Sequence, residues 1–200
     1  MSMRRRGKLG IAAIVGFVAA SMTLGSSPAC AVPITYTETD IASGSLNGVA
    51  FTNASIMLTM NNDTINITGG PSFFDNFGAI TVSVNGGAPA TFTSPASQVF
   101  SNQSVPAVGF EANVNILDDV SASFATYALN TAIGPITGSA LFNSGSSFPT
   151  SGGAFVLTSV GDPTFTATIG VVPEPSSLAV FATAMAALGF LFRRGWRRRA

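Results

Sequence analysis

Hydrophobic and polar residues alternate along much of this chain. Ile56, Leu58 and Met60 share one parity while Ser55, Thr59 and Asn61 take the other, and Phe110, Ala112, Val114 and Ile116 oppose Glu111, Asn113 and Asn115. A period of two puts one set on the buried face of a strand and the other toward solvent. Ile80, Val82 and Val84 lead into Asn85-Gly86-Gly87 and then Thr91-Phe92-Thr93. That order predicts a hairpin, because Asn and Gly accept the positive φ angles of a tight turn.

Further short strands are expected over 34–39, 44–52, 64–68, 122–129, 136–142, 154–158 and 164–169, with the Ser/Gly-rich stretch 143–153 as a long loop. The segments are rich in Thr, Ser, Val, Ile and Phe and lack a helical period. About ten short strands in one body imply an all-β fold, a single β-sandwich of the jelly-roll or immunoglobulin-like kind. Uneven segment lengths and the loop prolines in Gly70-Pro71, Ser94-Pro95 and Gly134-Pro135 favour a sandwich over a closed barrel. No repeat of fixed period suggests a solenoid or propeller.

Charge changes this picture by dividing the chain. Nine basic and nine acidic residues cancel, but every basic residue lies at Arg4, Arg5, Arg6 and Lys8 or at Arg193, Arg194, Arg197, Arg198 and Arg199. Eight acids (Glu38, Asp40, Asp63, Asp75, Glu111, Asp118, Asp119 and Asp162) occupy the region between. A body over 32–171 with no cation cannot neutralise phosphates, which excludes nucleic acid as a partner and makes anionic headgroups and acidic polysaccharides poor ones.

The same inventory restricts chemistry. Histidine is absent and the one cysteine, Cys30, precedes the body, so no disulfide, thiolate, imidazole or ammonium is present to act as nucleophile, base or clamp. A paired-carboxylate glycosidase needs only Asp and Glu, with Glu111 and either Asp118 or Asp119 as candidates. The simpler expectation puts Glu111 on a solvent face and Asp118-Asp119 in a turn, and no catalytic residue, cofactor or metal is assigned. Asn61-Asn62-Asp63, Asp75-Asn76 and Asp118-Asp119 carry the oxygen ligands calcium prefers, but without the spacing of a calcium loop, and they too are expected in turns. Phe73, Phe74 and Phe77 are expected to plug the open end of the core.

Both ends have the pattern of addresses. Residues 1–31 combine a basic start, an apolar run from Leu9 to about Ala20 and the small-residue site Ala29-Cys30-Ala31, which predicts a signal peptide cleaved after Ala31. Residues 176–192 carry no charge and as a helix would span about 25 Å, just enough for a bilayer. Pro173 and Pro175 stop that helix upstream. Downstream, Arg193, Arg194, Arg197, Arg198 and Arg199 around Trp196 form a cytoplasmic membrane stop, which places the acidic body outside.

Val172-Pro173-Glu174-Pro175-Ser176-Ser177, followed by an apolar stretch and an arginine-rich end, resembles the PEP-CTERM sorting signal over residues 172–200. The resemblance implies that Pro173, Glu174 and Pro175 are read by exosortase, a membrane-embedded cysteine transpeptidase that removes the tail during export. It further implies a Gram-negative producer of extracellular polysaccharide. The expected function is therefore an exported cell-surface or extracellular-matrix protein with a structural or adhesive role. Its expected partners are exosortase, the secretion machinery, transiently the inner membrane, and extracellular polysaccharide. The alternative is a calcium-dependent or carbohydrate-binding module.

Overall fold

The computed structural model describes residues 31–170 and, beyond them, only Met185. Residues 31–170 are all-β, with fourteen strands and no α-helix. The expected leader through Cys30, including Ala29, lies outside the described residues, and so do Pro173-Glu174-Pro175, the expected span 176–192 and the terminal arginines. Among the described residues no helix is long and apolar enough to cross a membrane.

Two long strands organise the larger sheet. β1 (Pro33–Leu46) and β2 (Val49–Asp63) pair antiparallel along their length around Asn47-Gly48, both at positive φ. This Asn-Gly hairpin replaces the unbroken strand expected over 44–52. The free edge of β1 pairs first with β14 (Thr164–Ile169) and then, past a bulge at Gly44, with β13 (Gly153–Ser159). Gly44 is required there, because a Cβ would run into the Val156 carbonyl. β5 (Ile80–Val84) and β6 (Ala90–Thr91) extend the sheet beyond β2, and Asn85 and Gly86 at positive φ form the expected hairpin turn. β10 (Ile133–Thr137) is the opposite edge, and an edge strand tolerates the Gly134-Pro135 expected in a loop.

The second sheet runs β11 (Ser139–Leu141), β9 (Asn115–Val120), β8 (Ala107–Ala112), β7 (Ser97–Asn102), β4 (Phe73–Phe77), β3 (Ile67–Gly69), all antiparallel. Inward residues of both sheets, among them Ile34, Tyr36, Leu58, Val82 and Phe165 from one and Val99, Val108, Phe110 and Leu117 from the other, form one buried core, as in a β-sandwich. An amide relay also crosses it. Asn62 Nδ2 donates to Asn76 Oδ1 (2.6 Å), Asn76 Nδ2 donates to the Tyr36 hydroxyl (3.0 Å), and that hydroxyl donates to the Leu129 carbonyl (2.7 Å). Asn62 and Asn76 are therefore strand residues joining two sheets and not the turn residues expected.

Four other expectations are corrected. Residues 110–116 are two strands, broken where Asn113 takes a positive φ. Residues 122–129 form a 3-10 turn (Ala122–Phe124) and an irregular segment, because Ser121 caps the turn and Phe124, Tyr127 and Leu129 bury themselves in the core. The loop expected over 143–153 contains β12 (Ser147–Thr150), paired with β13 and anchored by buried Phe148. Over 64–68 a 3-10 turn (Thr64–Asn66) precedes β3.

Each sheet also has an outward face. On the larger one, pairing aligns Thr166, Thr37, Thr59, Thr81 and Thr91 in one row across five strands. The outward face of the smaller sheet has a different chemistry.

Candidate functional site

Pairing sends neighbouring acids of β9 in opposite directions. Asp119 lies level with Val108 and Ala140, both packed on the core, so its side chain faces inward. Asp118 lies level with Gly109 and Leu141, and Gly109 pairs with Phe100, which pairs with Asp75. This row is on the outward face. Asp118-Asp119 is thus not the expected turn but two fully buried strand residues, 1% and 0% exposed.

The inward group is Asp119 with Glu38. Glu38 is on β1, level with Leu58 and Phe165, and is also 0% exposed. No hydrogen bond reaches either oxygen of Glu38 or of Asp119. Gly138 is what gives Asp119 room, since a Cβ there would collide with Asp119 Oδ1 and the Val120 carbonyl. A buried ion without a partner is costly, so such groups take up protons. Burial pushes Glu38 well above the carboxylate range, and the charges of Asp118, Asp119 and Asp40 push it further. Burial pushes Asp119 up to about 7; the nearby Phe165 N–H opposes this without hydrogen-bond geometry, and Asp162 adds to it.

The outward group comprises Asp118, Glu111 and Asp75. Asp118 folds over Gly109, where a Cβ would meet its Oδ1 and lie 2.7 Å from its Cα. Asn115 Nδ2 donates to Asp118 Oδ2, while Asp118 Oδ1 is buried without a partner. Glu111 is half-buried instead of fully on a solvent face, and Gln98 Nε2 donates to its Oε2 (2.7 Å). Asp75 Oδ1 is also buried and unpartnered. Burial pushes Asp118 up to about 8, with Glu111 adding to the rise and Asn115 opposing it. Burial also raises Glu111, against the Gln98 hydrogen bond and with help from Asp75, and it raises Asp75.

Aromatic side chains surround these acids. β4 alternates, so Phe73, Asp75 and Phe77 face out while Phe74 and Asn76 face in. Phe73 is 39% and Phe77 51% exposed, and Phe73 stacks nearly parallel on Phe100 at 5.7 Å. Only Phe74 of the three packs against the core, which corrects the expected plug. A cleft of about 350 Å³ lined by Phe77, Gly78, Ala79, Phe92, Ser94, Pro95 and Ser97 opens beside Phe77.

The structure brings Glu111 and Asp118 to one face and sends Asp119 to the other, dividing the trio considered as paired carboxylates. Among the described residues no three acidic side chains converge closely enough to hold a metal ion. Sequence reading missed Glu38 as a core residue and Phe100 as the floor of the outward face. The alternation Ile34, Tyr36, Glu38, Asp40, Ala42 was a signal for the first, because it places a glutamate on an otherwise apolar parity. No protein-family model matches the chain, and neither a curated protein nor a solved structure matches it significantly.

Proposed function

We propose that this chain is an exported surface or matrix protein, delivered by a signal peptide over 1–31 and sorted by exosortase at Pro173-Glu174-Pro175. Its body, a jelly-roll or immunoglobulin-like sandwich over 32–171, then acts in a structural or adhesive role. The observation that carries this reading is the charge partition: all cations belong to residues 4–8 and 193–199, where export and membrane topology need them, and none to the body. An all-β scaffold with one core and no His, Cys, Lys or Arg suits a role in contact rather than turnover.

Intact-mass analysis of protein recovered from its producing cell tests the reading. The expected mass lacks residues 1–31 and the hydrophobic tail, and a triple alanine variant at Pro173, Glu174 and Pro175 keeps the tail and stays in the inner membrane. Wild-type protein that retains its arginine-rich end would refute it.

A second reading, carbohydrate binding, is favoured by one observation: Phe73 and Phe77 are exposed on either side of Asp75 on a single sheet face. Flat apolar rings beside polar acceptors are what a sugar ring needs for stacking and orientation.

A further inference from the structure

Threonine recurs on one parity of two paired strands. Thr35, Thr37 and Thr39 of β1 alternate with buried Tyr36 and Glu38, and Thr164, Thr166 and Thr168 of β14 alternate with buried Phe165 and Ala167. Pairing sets the two triplets level, Thr35 with Thr168, Thr37 with Thr166 and Thr39 with Thr164. The middle row continues through Thr59, Thr81 and Thr91, the Thr35 row ends on Asn61, and the Thr39 row continues through Met57 and Ser83. No bulge interrupts the register between these residues. The result is a two-dimensional array, about 4.8 Å between strands and about 6.7 Å between rows.

Strand propensity alone does not produce such an array. Threonine is favoured in any exposed strand, yet the outward row of the smaller sheet reads Asp75, Phe100, Gly109, Asp118 and Leu141, with no threonine. The threonine rows contain no charged and no aromatic side chain. Three of the hydroxyls have protein partners: Thr35 donates to Asn61 Oδ1 (2.7 Å), Thr81 lies 3.4 Å from the Thr59 carbonyl, and Thr164 shares a hydrogen bond with Thr137 (2.7 Å). Those of Thr37, Thr39, Thr59, Thr166 and Thr168 bond to no other described residue, and all five residues are exposed or half-buried. Each threonine therefore holds a hydroxyl and a methyl toward water at a fixed place. Its branched Cβ restricts rotation, and the residues alternating with it are anchored in the core.

An uncharged lattice of hydroxyls and methyls selects among partners. Ionic polymers and mineral surfaces need charge, sugar rings and protein interfaces favour aromatic anchors, and this face offers neither. It suits a solid whose own oxygens repeat at similar distances. The oxygens on the prism face of ordinary ice repeat at spacings close to both dimensions of the array. Water held by the threonines is thus already in register with the crystal, and little further ordering is needed to join it. Sheet twist turns each strand by about 20° from the next, so the match is best over the adjacent strands β14, β1 and β2.

We propose that this face binds ice, with Thr37, Thr59 and Thr166 at its centre. The proposal stands apart from the carbohydrate-binding reading, which concerns the other sheet, and goes beyond the surface-protein reading by naming what such a body would hold.

Partitioning of the full-length chain into ice tests it. An ice shell is grown slowly from dilute protein in neutral detergent, alongside a non-binding protein of similar size in the same sample. The expected result is about tenfold enrichment in ice over that companion, because many weak contacts act together. Thr59→Tyr raises a ring above the plane, and Thr166→Lys brings a hydrated charge that ice cannot solvate. Each should lower the enrichment about fivefold with an unchanged far-ultraviolet spectrum and urea midpoint. Val105→Tyr, an equally bulky change in the exposed turn between β7 and β8, should leave it unaltered. Wild-type protein excluded from ice like its companion would overturn the proposal. Exclusion from ice together with pelleting on microcrystalline cellulose would overturn it in favour of a crystalline polysaccharide. Full enrichment of a folded Thr59→Tyr or Thr166→Lys variant would overturn the assignment to this face.

Discussion

Asp118 and Asp119 are adjacent in sequence, yet they belong to opposite sides of one sheet. On the inner side, Asp119 and Glu38 are sealed in a core of Phe, Leu and Ile with no hydrogen bond to any of their four oxygens, although the Phe165 N–H lies near Asp119. On the outer side, Asp118 has an amide on one oxygen, and its companions Asp75 and Glu111 are only partly covered beside exposed phenylalanines. Burial raises the proton affinity of both groups, but on the outer side only Asp118 is sealed, whereas Asp75 and Glu111 keep part of their surface in water. The inner group is answered by a proton, and the outer by a proton, by amide donors and by solvent.

Backbone packing around the inner group should be the most sensitive point. Gly138→Ala sets a methyl against Asp119 and the Val120 carbonyl. Since the backbone cannot yield as a flexible side chain would, a loss of about 3 kcal/mol is expected in urea unfolding. A loss below about 1 kcal/mol would mean that Asp119 is not sealed as described.

Next comes pH. Asp119 moves from its ordinary 3.8 to about 7 and Asp118 to about 8, and Glu38 also rises through burial and the charges of Asp118 and Asp119 on β9 and Asp40 on its own strand. Between about pH 4 and pH 7 to 8 the folded chain therefore keeps protons that the unfolded chain has released. Stability is full near pH 4 and falls as pH rises through that window, by up to about 1.4 kcal/mol per pH unit for each group. Glu38→Gln, neutral and of the same shape, should gain about 1–3 kcal/mol over wild type at pH 8 and little at pH 4.5. A variant with the wild-type slope would place the pH dependence in Asp119 and the outer group instead.

The smallest effect is expected on the far face of the molecule. Thr37 sits in the threonine ladder, on the face of β1 opposite to that of its neighbour Glu38, and Thr37→Val should change stability by less than about 0.5 kcal/mol with no change in the pH slope. A larger change would show that this hydroxyl row does more than cover the sheet.

Sequence pattern by itself determined the class of fold, the hairpin at Asn85-Gly86 and the exclusion of His, Cys, Lys and Arg chemistry from the body, since alternation and composition are local properties. It also held the Asn47-Gly48 turn, hidden inside a run that alternates well on either side. The irregular run 122–129 was not legible, because Phe124 and Tyr127 leave the strand conformation to fill a core assembled from both sheets. Nor was the site. Turn propensity describes Asp118-Asp119 in isolation, whereas strand pairing with β8 and β11 buries both and sends them to opposite faces. Asp75, Glu111 and Asp118 are as far apart as 43 positions in sequence and come to share one face only through the register of β4, β7, β8 and β9. Register is a long-range property, so the chain alone fixed which acids exist, and tertiary pairing decided which of them face outward and which face the core.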